Sequence, residues 1–382
     1  MFSLVKTAAA VAVLAGMAIG ATIPTFTQAQ IDSGEAIRQL GKIAYDTAMA
    51  RAERATTGCT KDKVKFRKEW RNMTMTDRRN YQEAIQCLMS KPSRYGLPGP
   101  KTLWDDYGVL HYYQTPYVHD DATFLLWHRH FEWVLEQDIQ THCGYNGTFP
   151  YWEWGLDCGK LDESPVFDGS EYSIGGNGEF IKGHRAAIGG AKPGTGGGCL
   201  KKGTPFANFT VNIGPSEAVN PLAYNPRCIK RDLNDDVCRK WASLRNATEL
   251  ILYTSTVGVF QSASQGEGVR GDGGRTFGTG VHSGGHYSIS GDPGSDFHFS
   301  ALEPGFYLHH GNLDRLYFIW QNLDWENRQT ISGTNTMYNM PPTANAVLTD
   351  NMGFEPLHRN ITIAQAMDTV GNTPLCFVYE PW

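Results

Sequence analysis

The sequence predicts a mainly α-helical chain with long glycine-rich loops and few short strands. Three observations carry that prediction: four stretches with helical periodicity, two long glycine-rich stretches, and an almost complete lack of strand pattern. Residues 66–90 read as a first helix, with Thr76 as its cap and Tyr81, Ala84, Ile85 and Leu88 on one face. Residues 124–141 form a second, with Phe124, Trp127, Phe131, Val134, Leu135 and Ile139 turned inward. Residues 236–263 give a third through Trp241, Leu244, Leu250, Leu252 and Val259. The fourth, 304–323, carries Phe306, His310, Leu313, Tyr317 and Trp320 as a core-facing stripe. Gly169–Pro205 and Gly266–Gly294 are too glycine-rich for regular helix and read as long loops. The best strand is Cys376–Tyr379.

Length and charge bound the function. At 382 residues the chain is long enough for a full core. Patterned helices flank both loops, so residues 22–382 are expected to form one domain rather than two or three. With 34 Lys+Arg against 39 Asp+Glu, a net charge of −5 argues against nucleic acid as a partner.

The N-terminus reads as a leader. Lys6 precedes a small apolar run, Ala8–Ala21, so residues 1–21 are expected to be a signal peptide cleaved near Gly20 or Ala21. A buried N-terminal helix is the other reading. The run is too short to span a bilayer, and no later segment is long and apolar enough, so no membrane partner is expected. A secreted, extracellular protein would oxidise its thiols. The eight cysteines are scattered with no C-x-x-C pair, which favours four disulfides over a thiolate metal site. Their connectivity is not deducible. Asn72, Asn146, Asn208, Asn246 and Asn360 each open an Asn-x-Thr triplet and are candidate N-glycan sites.

The twelve histidines are clustered. His111, His119, His128 and His130 lie within twenty residues; His282 and His286 form H-x-x-x-H; His309 and His310 are adjacent. On a helical turn, His282 and His286 project from one face. Each cluster can supply three neutral imidazoles, a donor set that suits copper or zinc. An H-x-x-x-H pair alone is more often structural; two clusters on strongly apolar helices turn the balance toward a metal. The chain has no H-E-x-x-H, and its single E-x-x-H at Glu355 and His358 does not make a di-iron carboxylate site.

The residues around these histidines resemble the tyrosinases and catechol oxidases. The resemblance rests on FRKEWRNMTMTDRRNYQEAIQCLMSKP at 66–92, on His111-(x)7-His119-(x)8-His128 within FLLWHRHFEWVLEQ, and on CGYNGTFPYWEW at 143–154. It continues in His282-Ser-Gly-Gly-His286 followed by FYLHHGNLDRLYFIWQ at 306–321, while TPFANFTVNIGP at 204–215 resembles ascomycete members. It spans roughly residues 36–380 and is similar to short secreted ascomycete members. It implies a four-helix bundle around a type 3 binuclear copper centre, with two copper ions per chain. One copper would be held by His111, His119 and His128, the other by His282, His286 and either His309 or His310. In the family the second histidine of such a pair is the ligand, which selects His310. Asp314, four residues on, would either fix the His310 tautomer or pair with an arginine. His130 points elsewhere on its helix. His142, His184 and His358 take surface or structural roles, and His298 sits near the expected mouth of the site.

The implied reaction uses dioxygen and small phenols: a catechol loses two protons and two electrons and leaves as o-quinone, its ring stacked on His286. Departures from the family pattern narrow this. Tyr117 stands where many fungal relatives have a cysteine joined to the second histidine. Ser283 stands where many monophenol hydroxylases have asparagine. Glu303-Pro304 replaces the usual Asp-Pro, and Gly305 a larger residue. Phe297 is placed to gate the first copper or simply to pack in the core. The expectation is therefore a secreted catechol oxidase acting on o-diphenols or o-aminophenols. The alternatives are a tyrosinase with monooxygenase activity on monophenols, an oxygen carrier like the hemocyanins, and an inert zinc-binding relative. Only 72 residues follow His310, so no C-terminal shielding domain is expected.

Overall fold

The computed structural model describes residues 23–371 and 374–382; the expected leader, residues 1–21, lies outside the described residues. Helices dominate, as the periodicity predicts. In chain order the principal ones are α1 (Glu35–Arg54), α2 (Met75–Leu88), α3 (Leu103–Gln114), α4 (Phe124–Cys143), α5 (Asp235–Trp241), α6 (Leu244–Leu252), α7 (Val257–Gln265), α8 (Gly280–Ile289) and α9 (Gly305–Leu323). Helix α9 packs against α1, α4, α6 and α8, and α8 packs against α5 and α7.

Two predicted helices change. The first begins at Met75, not at 66, and its cap is Thr74 rather than Thr76: the Thr74 side chain accepts the Asp77 N–H. Upstream, Lys65–Arg67 instead pairs in parallel with Phe377–Tyr379, within the best strand signal, Cys376–Tyr379. The stretch 236–263 is three helices, because Ser243 and Thr256 cap the starts of α6 and α7 and interrupt the run.

The loop read over 266–294 contains α8. Its glycines are packing residues. A Cβ at Gly285 would lie 2.2 Å from the His309 ring, and one at Gly284 would lie 2.8 Å from Trp241 Cβ. Glycine here lets α8 approach its neighbours rather than breaking the helix. The other loop, 169–205, includes an antiparallel pair, Gly178–Phe180 with Gly197–Leu200. Helix α9 is not striped: every residue from Gly305 to Leu323 is buried, as befits a helix enclosed on all sides.

The eight cysteines form four disulfides, Cys59–Cys376, Cys87–Cys143, Cys158–Cys238 and Cys199–Cys228. Among the described residues no helix is long and apolar enough to cross a membrane.

Candidate metal centre

Four helices and one connecting segment bring two histidine clusters together. His111 lies on α3, His128 on α4, and His119 on the segment between them. His282 and His286 lie one turn apart on α8, and His309 and His310 sit on α9. Within each cluster the candidate ligand atoms lie within 4.8 Å of one another. The clusters face each other: the His128 and His310 rings stack at 4.4 Å, and His119 lies 6.0 Å from His282.

In the first cluster the backbone sets the tautomers. Nδ1–H of His111 donates to the His298 carbonyl at 2.8 Å, that of His119 to Thr115 at 3.2 Å, and that of His128 to Phe124 at 2.8 Å. Each bond leaves a lone pair on Nε2, the orientation a metal requires. Nε2 of His111 and of His128 are buried with no hydrogen-bond partner, an arrangement that is costly unless something else binds them.

In the second cluster Nε2 of His286 lies 3.1 Å from Nε2 of both His282 and His310. Three nitrogens turned toward one point are poorly satisfied by protons alone and suit a cation. His309 belongs to the same group by distance, its ring centre 4.4 Å from that of His286, and it also packs against Trp154 at 5.2 Å. Burial holds the rings neutral: it pushes His111 down to about 4 and His286 to about 3, and lowers His119, His128, His282 and His310 well below their usual value. Six neutral, desolvated imidazoles fit copper ions better than hard, oxygen-seeking cations.

Asp314 does not reach His310, whose Nδ1 has no hydrogen-bond partner. Its Oδ1 accepts from Arg129 Nε and its Oδ2 from the Tyr379 hydroxyl, both at 2.6 Å. The arginine pairing therefore holds, through Arg129. His130 stacks on Trp133 at 5.0 Å, facing away from both clusters. His142 and His184 lie beside Asp138 and Asp232, and His358 donates to the Arg359 carbonyl.

A cavity of about 280 Å³ opens over the clusters, lined by His119, His282, Ser283, His286 and Phe297, among others. The Phe297 ring stands 4.7 Å from that of His119 and is 45% exposed. Phe299 is fully buried and stacks on Tyr112. The Ser283 hydroxyl donates to the Gln265 carbonyl at 3.3 Å. Asp120 and Tyr338 also line the cavity, and no sequence motif marks them. Both have positive φ, 47° and 52°, a conformation visible only in the folded chain. Burial first, and then the neighbouring Glu267, raises the Asp120 carboxyl to about 7.

Comparison with known proteins agrees with this geometry. Residues 101–323, which include all six histidines, match the common central domain of tyrosinase. The chain is 31% identical to "Tyrosinase P" of Aspergillus terreus over 346 residues, 83% of this chain and 92% of that protein. It is 33% identical to an N-acetyl-6-hydroxytryptophan oxidase of Emericella nidulans over 359 residues, 84% of this chain and 94% of that protein. Its fold resembles that of a polyphenol oxidase variant from Thermothelomyces thermophila, with a TM-score of 0.82 and 33% identity, over 90% of this chain and 97% of the other. With the family match extending over most of the helical core and both histidine clusters, the chain belongs to the tyrosinase family of copper oxidoreductases.

Proposed function

We propose that this protein is a secreted catechol oxidase that converts o-diphenols, and o-aminophenols of similar shape, to o-quinones or their imine counterparts with dioxygen. For catechols the balance is two catechols and one dioxygen to two o-quinones and two waters. His111, His119 and His128 would hold one copper, and His282, His286 and His310 the other. The observation that carries this reading is the pair of facing imidazole clusters, buried and neutral, at the floor of an open cavity. Bound copper would supply the dioxygen binding and the electron-transfer chemistry.

The protein's own part is positioning. Backbone carbonyls of Phe124, Thr115 and His298 hold three ligands in the metal-binding tautomer. His286 is only partly buried and borders the cavity, which supports its use as the face on which a substrate ring stacks. Phe297, over His119, narrows the approach and would act as a gate. Ser283, whose hydroxyl donates to the Gln265 carbonyl at 3.3 Å, stands where many monophenol hydroxylases have asparagine, which favours catechol oxidation over monophenol hydroxylation.

The four disulfides support an oxidising, extracellular location. Asn72, Asn146, Asn208 and Asn360 are exposed and open to N-glycan addition; Asn246 is half-buried in the α6 capping box and is the least accessible of the five.

Oxygen uptake on methylcatechol and on its matched monophenol tests the proposal. The expected result is rapid uptake with the catechol and slow or lagging uptake with the monophenol. Equal rates without a lag would make the protein a tyrosinase; no uptake with either would reject the oxidase reading.

A further inference from the structure

A second cavity, of about 460 Å³, borders the segment that bears His119. Gln114, Tyr117 and Thr123 line it together with Asn335, Asn351 and Asn360. It shares no lining residue with the cavity over the histidines. Its size is that of a small-ligand site, about 300–1,000 Å³.

The lining is polar without being cationic. None of it is Lys or Arg, and its single carboxylate, Asp350, already accepts from Asn335 Nδ2 at 3.1 Å and from the Val347 N–H at 2.9 Å. The side-chain amides of Gln114 and Asn351 and the hydroxyl of Tyr117 have no hydrogen-bond partner among the described residues. Tyr117 is 49% exposed. Free carboxamides beside an exposed aromatic ring suit a neutral ligand rich in hydroxyl groups. The amides both donate and accept hydrogen bonds, and the ring offers an apolar face to the C–H side of a sugar.

The sequence carries such a ligand's attachment point at this place. Asn360 opens the triplet Asn360-Ile-Thr, an N-glycan acceptor; it lines the cavity and is exposed. Its Oδ1 accepts the Phe354 N–H at 2.8 Å, and its Nδ2 has no partner among the described residues. The amide is planar, so the bond to Oδ1 fixes the direction in which a group joined to Nδ2 leaves. Asn72, Asn146 and Asn208 are exposed too, but none of them lines this cavity.

We infer that an N-glycan on Asn360 seats its first sugars in this cavity, against Tyr117, and braces the segment that bears His119. The inference rests on the secretion reading above, because the donor is a lipid-diphosphate oligosaccharide of the secretory route. In the transfer Asn360 Nδ2 displaces the lipid diphosphate from C1 of N-acetylglucosamine: the N–C1 bond forms, the C1–O bond breaks, and one Nδ2 proton is lost. Once the chain folds, the tether makes seating intramolecular, at an effective concentration on the order of millimolar, so contacts too weak to hold a free sugar suffice. The walls of the cavity are already joined twice: the Ala122 N–H donates to the Thr334 carbonyl and Trp127 Nε1 to that of Gly353, both at 3.0 Å. The glycan adds a further tie, from Asn360 to Tyr117, that exists only in the folded chain and therefore stabilises it.

The test uses the protein secreted by a yeast that attaches high-mannose glycans, and an endoglycosidase that cuts within the chitobiose core as the probe. Peptide mass spectrometry reads each site. The expected result is a glycan on Asn360 that is cut on the native protein about tenfold more slowly than those on Asn72 and Asn208, and as fast as they are after denaturation. Tyr117→Ala keeps the Asn360 glycan and loses its protection. Asn360→Gln lowers the melting temperature by about 2–4 °C, and Asn72→Gln leaves it unchanged. Glycans at Asn72 or Asn208 with none at Asn360, native cutting at Asn360 as fast as at the others, or protection that survives Tyr117→Ala would overturn the inference and leave secretion standing. A chain kept inside the cell with no glycan at any site would reject the secretion reading together with the inference.

Discussion

Arg129 and Asp314 form a buried ion pair, Nε to Oδ1 at 2.6 Å, between α4 and α9. Arg129 follows His128 directly, and Asp314 lies one turn beyond His310. The pair therefore ties together the two helices whose histidine rings stack at 4.4 Å across the centre. The rest of the Arg129 guanidinium donates to the carbonyls of Ala366 and Met367 and to Gln321, so the guanidinium is anchored on three sides. Asp314→Ala strands that charge. The expected loss is about 3–5 kcal/mol of stability, with copper retained less well, read by thermal unfolding and metal analysis. An unchanged melting temperature would show that the pair does not clamp the two helices.

Gly285 is required by the approach of α8 to His309. Gly285→Ala places a Cβ 2.2 Å from the His309 ring. The His309 ring or one of the helices must shift, at an expected cost of about 1–3 kcal/mol, and the neighbouring histidine cluster loosens with it. Reduced copper content in a folded Gly285→Ala protein is the outcome to look for; full copper and parental stability would contradict the packing argument.

The copper-free protein should weaken in acid. Burial lowers His111 to about 4, and His286 and His130 to about 3, against about 6.5 in the unfolded chain. Because the folded pKa values are depressed, the unfolded chain takes up protons first. Stability is full above pH ~6.5 and is lost as pH falls from there toward the folded values. Each such histidine costs about 2 kcal/mol by pH 5. Urea unfolding of the apoprotein at pH 7 and pH 5 measures this, and equal midpoints would refute it.

The bridge Cys59–Cys376 joins residues 317 apart and holds the region beside the strand pair Lys65–Arg67 and Phe377–Tyr379. Replacing both cysteines by serine should lower stability by about 2–5 kcal/mol while leaving the metal centre assembled. A melting temperature within a degree of the parent would show that the bridge adds nothing.

Part of the candidate site is legible in the sequence because its histidines cluster, one pair of them at helical spacing. His282 and His286 share a helix face by arithmetic alone, and His128 lies on a strongly patterned helix with His111 and His119 upstream of it. Other features are hidden for physical reasons. Helix α1 escapes notice because its buried face is largely alanine, Ala36, Ala44, Ala48 and Ala52, with Ile37 and Leu40 near one end. Helix α8 is masked by Gly284 and Gly285, whose role as contact points depends on Trp241 and His309 folding against them. The breaks at Ser243 and Thr256 look like ordinary helix interior until their side chains are seen to cap. Asp120 and Tyr338, which both line the cavity, lie far apart in the chain, so no local pattern announces them. Asp314 shows the limit of spacing arguments: four residues from His310, it turns to Arg129 and Tyr379 instead.

Copper content per chain tests the central claim most directly, measured on the parent protein and on His310→Gln and His309→Gln purified without added metal. Two coppers are expected in the parent, about one in His310→Gln, and two in His309→Gln. Zinc in place of copper in the parent, or loss of copper on changing His309 but not His310, would contradict the assignment of the centre.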